Sequence, residues 1–343
     1  MNSRVIKFVA GAGKTTFSKE YLKENKNGIY LAFNNRVVDK IRNKGFLCKT
    51  IDSLFTSFII PKFISAIPLI ATGSKINYIE GNKLNQYQRG FANIKIHKDG
   101  KIYNQTRYTG ITLNDSNSDL YSKTNFKNES FIKFIFGKNS LNINDELRTE
   151  ISAYIIENYS AELIKLLEAR FSYIIIDEAQ DLRGYREEFA KLLYESKIQL
   201  ILLGDDNQNI NGGGNWFESL NAHETKNITY RCTEEICKWI RDNLNIEIYG
   251  NSDFGEYKDI KLSAALSYDD GERVLLYNSS TGKHKEIIDS WRGEKLTIKK
   301  SKGDTIDKDI VIVGNTLNKK NLYTAITRTK KNCYSTIKPN LKS

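Results

Sequence analysis

The chain has few of the residues that mark disulfide-rich, metal-binding or fibrous proteins. Its 343 residues include four cysteines, three histidines, three prolines and one methionine. The cysteines form no CxxC pair and have no matching histidine spacing, so they indicate reduced thiols rather than a disulfide framework or a zinc site. A hydrophobic content of 40% with 11% aromatics excludes a disordered or collagen-like chain.

Long apolar runs are also missing. The best candidate, residues 55–70, is interrupted by Lys62 and by two prolines, and a membrane-spanning helix needs roughly 18 apolar residues without such breaks. The first residues, MNSRVIKFVAGAGK, lack the apolar stretch and the cleavage site of a secretory signal. We therefore expect a soluble protein of the cytoplasm or nucleus that does not enter a membrane.

The charge balance is basic. Lys and Arg number 52 against 41 Asp and Glu, which gives a formal net charge of +11. Basic side chains that neutralise phosphates release counterions, so this excess favours a nucleic-acid partner. A chain rich in Asn, Ile and Lys would also be basic through biased composition, and charge alone leaves both explanations open.

The arrangement of apolar segments predicts an α/β fold with parallel sheets, since strands buried on both faces appear as continuous apolar runs. A helix is predicted between the first two strands, at residues 15–25. The predicted strands are residues 5–9, 28–33, 173–176, 199–203, 274–277 and 309–313. A polar stretch at residues 207–229 separates them into two groups, which predicts two lobes.

A long middle segment has a different texture. Residues 61–147 are rich in Asn, Ser, Lys and Tyr, and this length is too great for a plain loop in a compact domain. Helical spacing of apolar residues returns between Glu150 and Ala169. The predicted domains are a first lobe of residues 1–60 and 148–222, an inserted subdomain of residues 61–147, and a second lobe of residues 223–343.

A glycine-rich segment, AGAGKTT, lies between the first predicted strand and helix. Glycines allow backbone N–H groups to surround a phosphate at a helix N-terminus. Lys14 would reach the β and γ phosphates, and Thr15 would bind Mg²⁺. The usual spacing has a glycine where Phe8 stands. The predicted nucleotide-binding residues of this loop are Gly11, Ala12, Gly13, Lys14, Thr15 and Thr16.

Two further strand ends carry polar groups suited to the same chemistry. In IIIDEAQD, Asp177 would hold Mg²⁺ and Glu178 would polarise the attacking water. In LLGDDNQ, Gln208 would bond to the γ-phosphate or to that water. Each segment taken alone is compatible with an acidic helix start or a capped turn. Three such strand ends in order favour a nucleotide site.

Together these segments resemble the motifs of superfamily 1 helicases, and DEAQD with GDDNQ is similar to their UvrD/Rep-like branch. The resemblance implies an α/β fold of two RecA-like P-loop lobes with parallel sheets and an inserted subdomain in the first lobe, with ATP and Mg²⁺ as cofactors. It assigns Arg231 of TYR to the γ-phosphate and makes Arg328 of LYTAITR the arginine finger. An arginine from a second lobe stabilises the transferring phosphoryl group only when the lobes close. The segment KKSKGDTID is similar to the one that links ATP to the nucleic-acid track, with Gly303 and Thr305 as nucleotide contacts.

The resemblance also implies a track for single-stranded DNA or RNA. LAFNNR is similar to the motif that contacts the strand, with Phe33 stacking on a base, and TIDS is similar to the TxHS element whose hydroxyls touch the strand's backbone. Phe33 could equally be a core aromatic, and the lysines near residue 300, including Lys302, a solvated basic face. The predicted strand contacts are Phe33, Asn34, Arg36, Thr50, Ser53, Trp216, Lys299 and Lys300.

The chain departs from the family pattern in several places. Because only residues 1–7 precede the phosphate loop, we expect no glutamine segment that recognises adenine, which leaves the base selectivity open. The aromatic residue expected after Gln208 is absent. The stretch from Arg231 to Lys299 is too short for the large second-lobe insertion of longer members. We expect a reduced, monomeric helicase core that hydrolyses ATP and moves on single-stranded DNA, with 3′ to 5′ polarity by analogy and with replication or repair proteins as partners. An RNA helicase of an RNA virus, a nucleic-acid-binding ATPase that hydrolyses weakly without unwinding, and a small-molecule kinase remain as alternatives.

Overall fold

The computed structural model describes most of the chain outside the middle segment. Between residues 63 and 145 it gives short strands only, and most of the predicted inserted subdomain lies outside the described residues. The described ranges are 3–42, 45–63, 145–279, 282–314 and 317–338. The short strands are Lys75–Tyr78, Ile94–Ile96, Ile102–Asn104, Thr109–Ile111, Phe136–Gly137 and Ser140–Ile143.

The first lobe is built on a six-stranded sheet whose paired strands are all parallel. Its three central strands, Gln199–Gly204, Tyr173–Asp177 and Gly28–Ala32, are buried on both faces, which explains their apolar sequences. Ile174 and Ile176 enter one core, and Tyr173 and Ile175 enter the core on the opposite face. In spatial order the strands are Glu224–Lys226, Arg4–Phe8, Gln199–Gly204, Tyr173–Asp177, Gly28–Ala32 and Cys48–Thr50.

The second lobe is built on a five-stranded sheet, also parallel throughout. Its central strand, Ile310–Val313, is fully buried. A smaller parallel pair, Ile228–Thr229 with Tyr249–Gly250, stands where the chain enters this lobe. In spatial order the strands of the main sheet are Tyr257–Asp259, Cys333–Ser335, Ile310–Val313, Val274–Tyr277 and Lys295–Thr297.

Helices cover both faces of each sheet, and one apolar core runs from the first lobe into the second. Thr233 caps the helix Glu234–Leu244 by accepting the N–H of Ile236, and Asn245 ends it in a left-handed conformation. The other described helices are Lys14–Glu24, Asn35–Arg42, Ile51–Leu54, Ile60–Phe63, Asp145–Asn158, Ser160–Arg170, Tyr185–Glu195, Trp216–Ser219, Lys285–Ser290, Ile298–Ser301 and Lys319–Ile326, with a π-helical turn at Phe55–Ile59 and 3₁₀ turns at Ala179–Asp181, Asp206–Gln208, Leu262–Tyr268 and Gly282–His284.

The chain passes from the first lobe to the second at Asn227. The preceding strand, Glu224–Lys226, pairs with Arg4–Phe8 in the first sheet. The carbonyl of Asn227 accepts the N–H of Tyr249, which belongs to the second lobe. Asn227 is therefore the single residue between the last strand of the first sheet and the small strand pair at the entry to the second lobe.

The predicted α/β fold with two parallel sheets is confirmed, and each predicted strand is present within one or two residues of its expected ends. The helix expected at residues 150–169 is two helices, Asp145–Asn158 and Ser160–Arg170, because Tyr159 leaves the helical conformation between them. The domain boundaries stay a prediction. Across the described residues, every helix is too short or too polar to span a bilayer.

Candidate nucleotide site and nucleic-acid groove

A cleft of about 240 Å³ lies at the carboxyl ends of the first sheet's strands and is closed by the second lobe. This is the edge at which parallel α/β sheets bind ligands. The cleft contains all four predicted catalytic residues, Glu178, Gln208, Arg231 and Arg328. Its other predicted members are Gly11, Ala12, Gly13, Lys14, Thr15, Asp177, Gly303 and Thr305.

The glycine-rich loop has the backbone that a phosphate cradle needs. Gly11 and Gly13 take positive φ values of 76° and 87°, a region that L side chains rarely adopt. Gly13 is the N-cap of the helix Lys14–Glu24 and provides no side-chain cap, so the helix N-terminus faces the cleft through backbone groups. Phe8 is buried and packs against Phe17 with ring centroids 5.9 Å apart, so a core aromatic stands where the usual spacing has glycine.

Thr16 is the one predicted loop residue outside the cleft lining. It is exposed, whereas Lys14 and Thr15 line the cleft. Successive helical residues point about 100° apart, so residues on a first turn cannot all face one ligand. The assignment of Thr16 to the nucleotide stays a prediction.

Lys14 bridges the two acidic residues that follow the strand Tyr173–Asp177. Its Nζ lies 2.8 Å from Asp177 Oδ1 and 2.8 Å from Glu178 Oε1. Burial alone would lower the pKa of Lys14, but the charges of Asp177 and Glu178 outweigh burial and raise it. Burial raises the pKa of Asp177, while Lys14 and Lys302 overcome the effect of burial at Glu178 and lower its pKa to about 2. Glu178 is therefore a carboxylate at neutral pH.

The backbone and neighbours of Glu178 fix its direction. Glu178 adopts a left-handed conformation with φ of 57°, which costs a non-glycine residue on the order of 1 kcal/mol. Its N–H donates to Asp177 Oδ1 at 2.7 Å, and its Oε2 accepts from Gln180 Nε2 at 2.6 Å. Tyr30 donates its hydroxyl to Asp177 Oδ2 from the neighbouring strand. Both carboxylates are thus held in place before any ligand binds.

A buried network joins the third strand end to the second lobe. Gln208 Nε2 donates to Asp205 Oδ2 at 2.7 Å, and Gln208 Oε1 accepts from Arg328 Nη2 at 3.0 Å. Gln180 Oε1 accepts the N–H of Asp205 at 3.1 Å, which connects this network to Glu178. Arg328 is 1% exposed. Burial, and then repulsion from Arg231, lowers its pKa to about 9, so it keeps its charge at neutral pH.

Tyr323 connects the second lobe to the phosphate loop. Its hydroxyl accepts the N–H of Ala10 at 2.9 Å and donates to Asp205 Oδ2 at 3.2 Å. Burial raises the pKa of Tyr323 well above its usual range and that of Asp205 to about 6. One side chain of the helix Lys319–Ile326 therefore touches two motifs of the first lobe.

Lys302 forms a second buried link between the lobes. Its Nζ lies 2.7 Å from each carboxylate oxygen of Asp181 and 2.5 Å from the carbonyl of Gln208. The side chains of Lys302 and Asp181 are 8% and 1% exposed. Lys302 is therefore part of an internal ion pair and does not belong to a solvated basic face.

The segment that enters the second lobe lies directly against the phosphate loop. Gly11 accepts the N–H of Tyr230 at 3.0 Å, and Arg231 donates to the carbonyl of Thr327 at 3.1 Å. A Cβ placed on Gly11 would lie 2.6 Å from both Arg231 Cβ and Thr229 Oγ1. Gly11 is therefore needed for the close approach of the second lobe as well as for its own conformation.

A second depression, of about 560 Å³, lies on the first lobe beside the cleft. It is lined by four of the predicted nucleic-acid contacts: Phe33, Asn34, Thr50 and Ser53. They come from two motifs at the ends of neighbouring β-strands. We call this depression the groove. Its remaining lining residues are Asn35, Asp52, Thr56, Ser57, Asp145 and Arg148.

The predicted strand contacts within the groove differ in accessibility. Phe33 is half-buried, and the guanidinium of Arg186 lies 5.7 Å from its ring centroid. Asn34 is exposed. Thr50 is buried, and its hydroxyl oxygen accepts the N–H of Ser53 at 3.1 Å as the cap of a short helix. Thr50 thus shapes the groove through this cap.

The remaining predicted strand contacts lie outside the groove lining. Arg36 donates to the carbonyl of Lys300 at 3.2 Å, so these two residues meet where the lobes touch, and Lys299 is exposed beside them. Trp216 is half-buried against the first core, with its ring 5.8 Å from that of Tyr194. Their assignment to nucleic acid stays a prediction.

Sequence reasoning missed several members of the site. Asp205 follows the strand Gln199–Gly204 directly, and the strand-end argument used for Asp177 could have found it. Gln180 and Tyr323 had no such signal, because their partners are distant along the chain. Other cleft residues that were not predicted are Phe8, Val9, Ala10, Val37, Lys40, Tyr230 and Lys330.

Comparison with known proteins decides the family. Residues 32–212 match the sequence model of the UvrD/REP helicase N-terminal domain. Residues 145–335 match that of the viral superfamily 1 RNA helicase core domain. Each match covers more than half of the 343 residues. The chain belongs to the superfamily 1 helicases. No curated protein matches this helicase chain by sequence.

Solved structures of viral helicases resemble the chain weakly. The PRRSV helicase has 13% identity and a TM-score of 0.48, with 99% of this chain and 53% of that chain covered. The arterivirus nonstructural protein 10 helicase has 13% identity and a TM-score of 0.46, with 99% of this chain and 60% of that chain covered. Its complex with DNA has 12% identity and a TM-score of 0.46, with 99% of this chain and 62% of that chain covered. The superfamily 1 chain described here spans just over half the length of these proteins.

Superfamily 1 helicases use ATP with Mg²⁺, and the cleft fits both. A loop with two left-handed glycines and a helix without a side-chain cap provides N–H groups for phosphates. Asp177 and Thr15 offer the oxygen ligands that Mg²⁺ prefers. Lys14, Arg231 and Arg328 supply positive charge around the same space.

Proposed function

We propose that this superfamily 1 helicase hydrolyses ATP in the cleft between its lobes and uses lobe closure to move along single-stranded nucleic acid. The observation that carries the proposal is the position of Arg328. This arginine belongs to the second lobe, yet it is buried against Gln208 in the cleft that holds Lys14 and Glu178 of the first lobe. The cleft is therefore complete only when both lobes contribute to it.

The chemistry follows from charge placement. Lys14 exchanges its carboxylate partners for the β and γ phosphates of ATP, which frees Glu178 to polarise the attacking water. Mg²⁺, held by Asp177 and Thr15, would neutralise phosphate charge. Arg231 and Arg328 stabilise the charge that develops on the transferring phosphoryl group. Because Gln208 bonds to Arg328 and to Asp205, a change at the γ-phosphate reaches both lobes.

Movement requires that ATP alter the contacts between the lobes. The Lys302–Asp181 pair and the Tyr323 hydroxyl join the lobes next to the reacting groups. ATP binding and product release would close and open these contacts, and the groove on the first lobe would hold the strand in one of the two states. Net translocation needs the second lobe to hold it in the other state.

We propose single-stranded DNA as the track, with 3′ to 5′ movement. The match to the UvrD/REP N-terminal domain supports this choice, since residues 32–212 include every described groove residue. RNA is the second candidate, because residues 145–335 match the core of viral superfamily 1 RNA helicases. Monomeric action, unwinding, and partners in replication or repair belong to this proposal. A weakly hydrolysing binding protein is disfavoured because the cleft keeps all its charged groups.

The test is a steady-state ATPase assay with and without oligo-dT and oligo-U, followed by strand displacement on 3′- and 5′-tailed duplexes of DNA and of RNA. Stimulation by either single strand supports the motor, and the better strand identifies the track. An ATPase that neither strand raises would overturn the proposal. Lys14→Ala and Glu178→Gln should each lower kcat about 100-fold or more, with Lys23→Ala, an exposed lysine on the same helix as Lys14, as control.

A further inference from the structure

Asp52 lies in the groove, and its carboxylate accepts hydrogen bonds from three side chains. Arg186 binds it in a forked arrangement, with Nε 2.6 Å from Oδ1 and Nη2 2.8 Å from Oδ2. Tyr185 donates its hydroxyl to Oδ1 at 2.6 Å, and Arg148 Nη2 donates to Oδ2 at 2.9 Å. Asp52 occupies the position of the histidine in the TxHS element, and histidine could not receive these donors in this way.

The cluster is partly withdrawn from water, so its geometry is well defined. The side chains of Arg148, Arg186 and Asp52 are 6%, 18% and 23% exposed. Burial would raise the pKa of Asp52, but its bonds to Arg186 and Tyr185 outweigh burial and lower it. Asp52 is therefore ionised at neutral pH. Forked Arg–carboxylate pairs of this kind restrict both partners more tightly than single contacts do.

Asp52 fixes the guanidinium that faces the predicted stacking residue. The Arg186 guanidinium that it holds lies 5.7 Å from the Phe33 ring centroid and 4.9 Å from the Tyr185 ring centroid. A cation against an aromatic ring restricts the orientation of that ring. Without Asp52, Arg186 would be free to turn toward solvent or toward the phosphates of a bound strand.

The same two donors belong to the segment that leads away from the ATP cleft. Tyr185 and Arg186 open the helix Tyr185–Glu195, a few residues after the turn Ala179–Asp181. That turn carries Gln180, which holds Glu178, and Asp181, which holds Lys302 of the second lobe. The chain from residue 178 to residue 186 therefore has the cleft at one end and the groove at the other.

We propose that Asp52 is a positioning residue that couples the groove to the ATP cleft. By bonding to Tyr185 and Arg186, it fixes the position of the groove near Phe33 relative to the segment that carries Glu178 and Asp181. A strand that binds in the groove then biases the same segment that orients the attacking water. The inference rests on the proposed function, because it assigns a residue to the communication between the two sites.

The experiment measures ATPase activity of the full chain against the concentration of the better single strand. Asp52→Asn keeps the size of the side chain and removes its charge, and Tyr185→Phe removes one donor only. We expect the oligonucleotide concentration for half-maximal stimulation to rise about tenfold in Asp52→Asn and about threefold in Tyr185→Phe. The KM for ATP should rise by a clearly smaller factor, and Asp52→Glu should recover part of the lost affinity.

Asp39→Asn is the matched control, since it removes an exposed Asp–Arg pair of the first lobe that lies outside both sites. If Asp52→Asn and Tyr185→Phe both match this control while the wild type is stimulated, the inference is wrong and the motor stands. If the half-maximal oligonucleotide concentration and the KM for ATP rise by equal factors, Asp52 has a structural role only and the inference is also wrong. If neither strand stimulates the wild type, the proposed function itself fails. Should Asp52→Asn not fold, Tyr185→Phe decides alone.

Discussion

The groove lies on the first lobe and the cleft lies between the two lobes, and the two sites satisfy their polar groups differently. In the cleft, charged side chains are buried and bond to one another across the two lobes; Asp177 and Arg328 are each 1% exposed. The groove is lined mainly by amides, hydroxyls and the ring of Phe33, with Asp52, Asp145 and Arg148 as its charged members, and Asn34 is exposed.

The difference fits the roles proposed for the two sites. Phosphoryl transfer depends on fixed charges that do not reorganise during the reaction, which requires a dry and preorganised site. A strand that must be held and released repeatedly needs moderate contacts that water can replace, such as stacking and single hydrogen bonds. Substitutions in the cleft should therefore act on catalysis, and substitutions in the groove on affinity.

The largest expected effect is in the cleft, at Arg328. Arg328→Lys keeps a positive charge but loses the fork that bonds to Thr324 and Gln208 at once. Arginine fingers contribute about 10³-fold or more to phosphoryl transfer, so kcat should fall by about 10³ at saturating ATP and oligonucleotide. Arg42→Lys, at an exposed pair on the first lobe, is the control. A kcat within threefold of the wild type would remove Arg328 from the catalytic set.

A pH effect of intermediate size is expected at Asp205. Burial raises its pKa from the usual 3.8 to about 6, although Gln208, Asn207, Lys14 and Tyr323 face it and lower it. The folded protein then binds this proton more tightly than the unfolded chain does. The resulting stability is fully present below pH 3.8 and is lost as pH rises through 6.

The measurement is urea unfolding of the wild type and of Asp205→Asn at several pH values. Relative to the variant, the wild type should lose about 2.4 kcal/mol of unfolding free energy between pH 4 and pH 7, at about 1.36 kcal/mol per pKa unit and a shift from 3.8 to about 6. Asp39→Asn, whose carboxylate is exposed, should show no comparable change. A difference between wild type and Asp205→Asn that does not vary with pH would show that Asp205 is not buried as described.

The smallest expected effect separates the groove from the core. Phe33→Ala should weaken binding of a labelled oligo-dT about tenfold, because one stacked base contributes about 1–3 kcal/mol. Trp216→Ala should change that affinity less than twofold and lower thermal stability instead, since Trp216 packs on Tyr194. Fluorescence anisotropy and a melting curve measure both. Equal losses of affinity in the two variants would show that the bound oligonucleotide reaches Trp216, and would support the predicted nucleic-acid contact of that residue.

The sequence predicted the parts of the site that are contiguous in the chain. AGAGKTT and IIIDEAQD each place a strand end and its reacting groups within a few residues, so local spacing was sufficient. The links between lobes could not be predicted in this way. Lys302 and Asp181 are 121 positions apart, and Tyr323 and Asp205 are 118 apart. Such pairs depend on how the two sheets meet.

The groove was predictable only in part, for a related reason. Phe33 follows the strand Gly28–Ala32, and Thr50 ends the neighbouring strand Cys48–Thr50, so strand order brings the two residues together. Arg186 and Arg148 reach the same place from helices far along the chain. Their pattern in the sequence is that of ordinary surface arginines, and only packing shows that Asp52 collects them.

The one-residue connection at Asn227 lies close to the phosphate loop. It lies next to Thr229 and Tyr230, which touch the phosphate loop, so the chain enters the second lobe beside that loop. Points on a rotating body move in proportion to their distance from the pivot. If the second lobe turns about this connection, as the proposed closure requires, a displacement of atomic size beside the phosphate loop becomes a larger displacement at the far edge of that lobe.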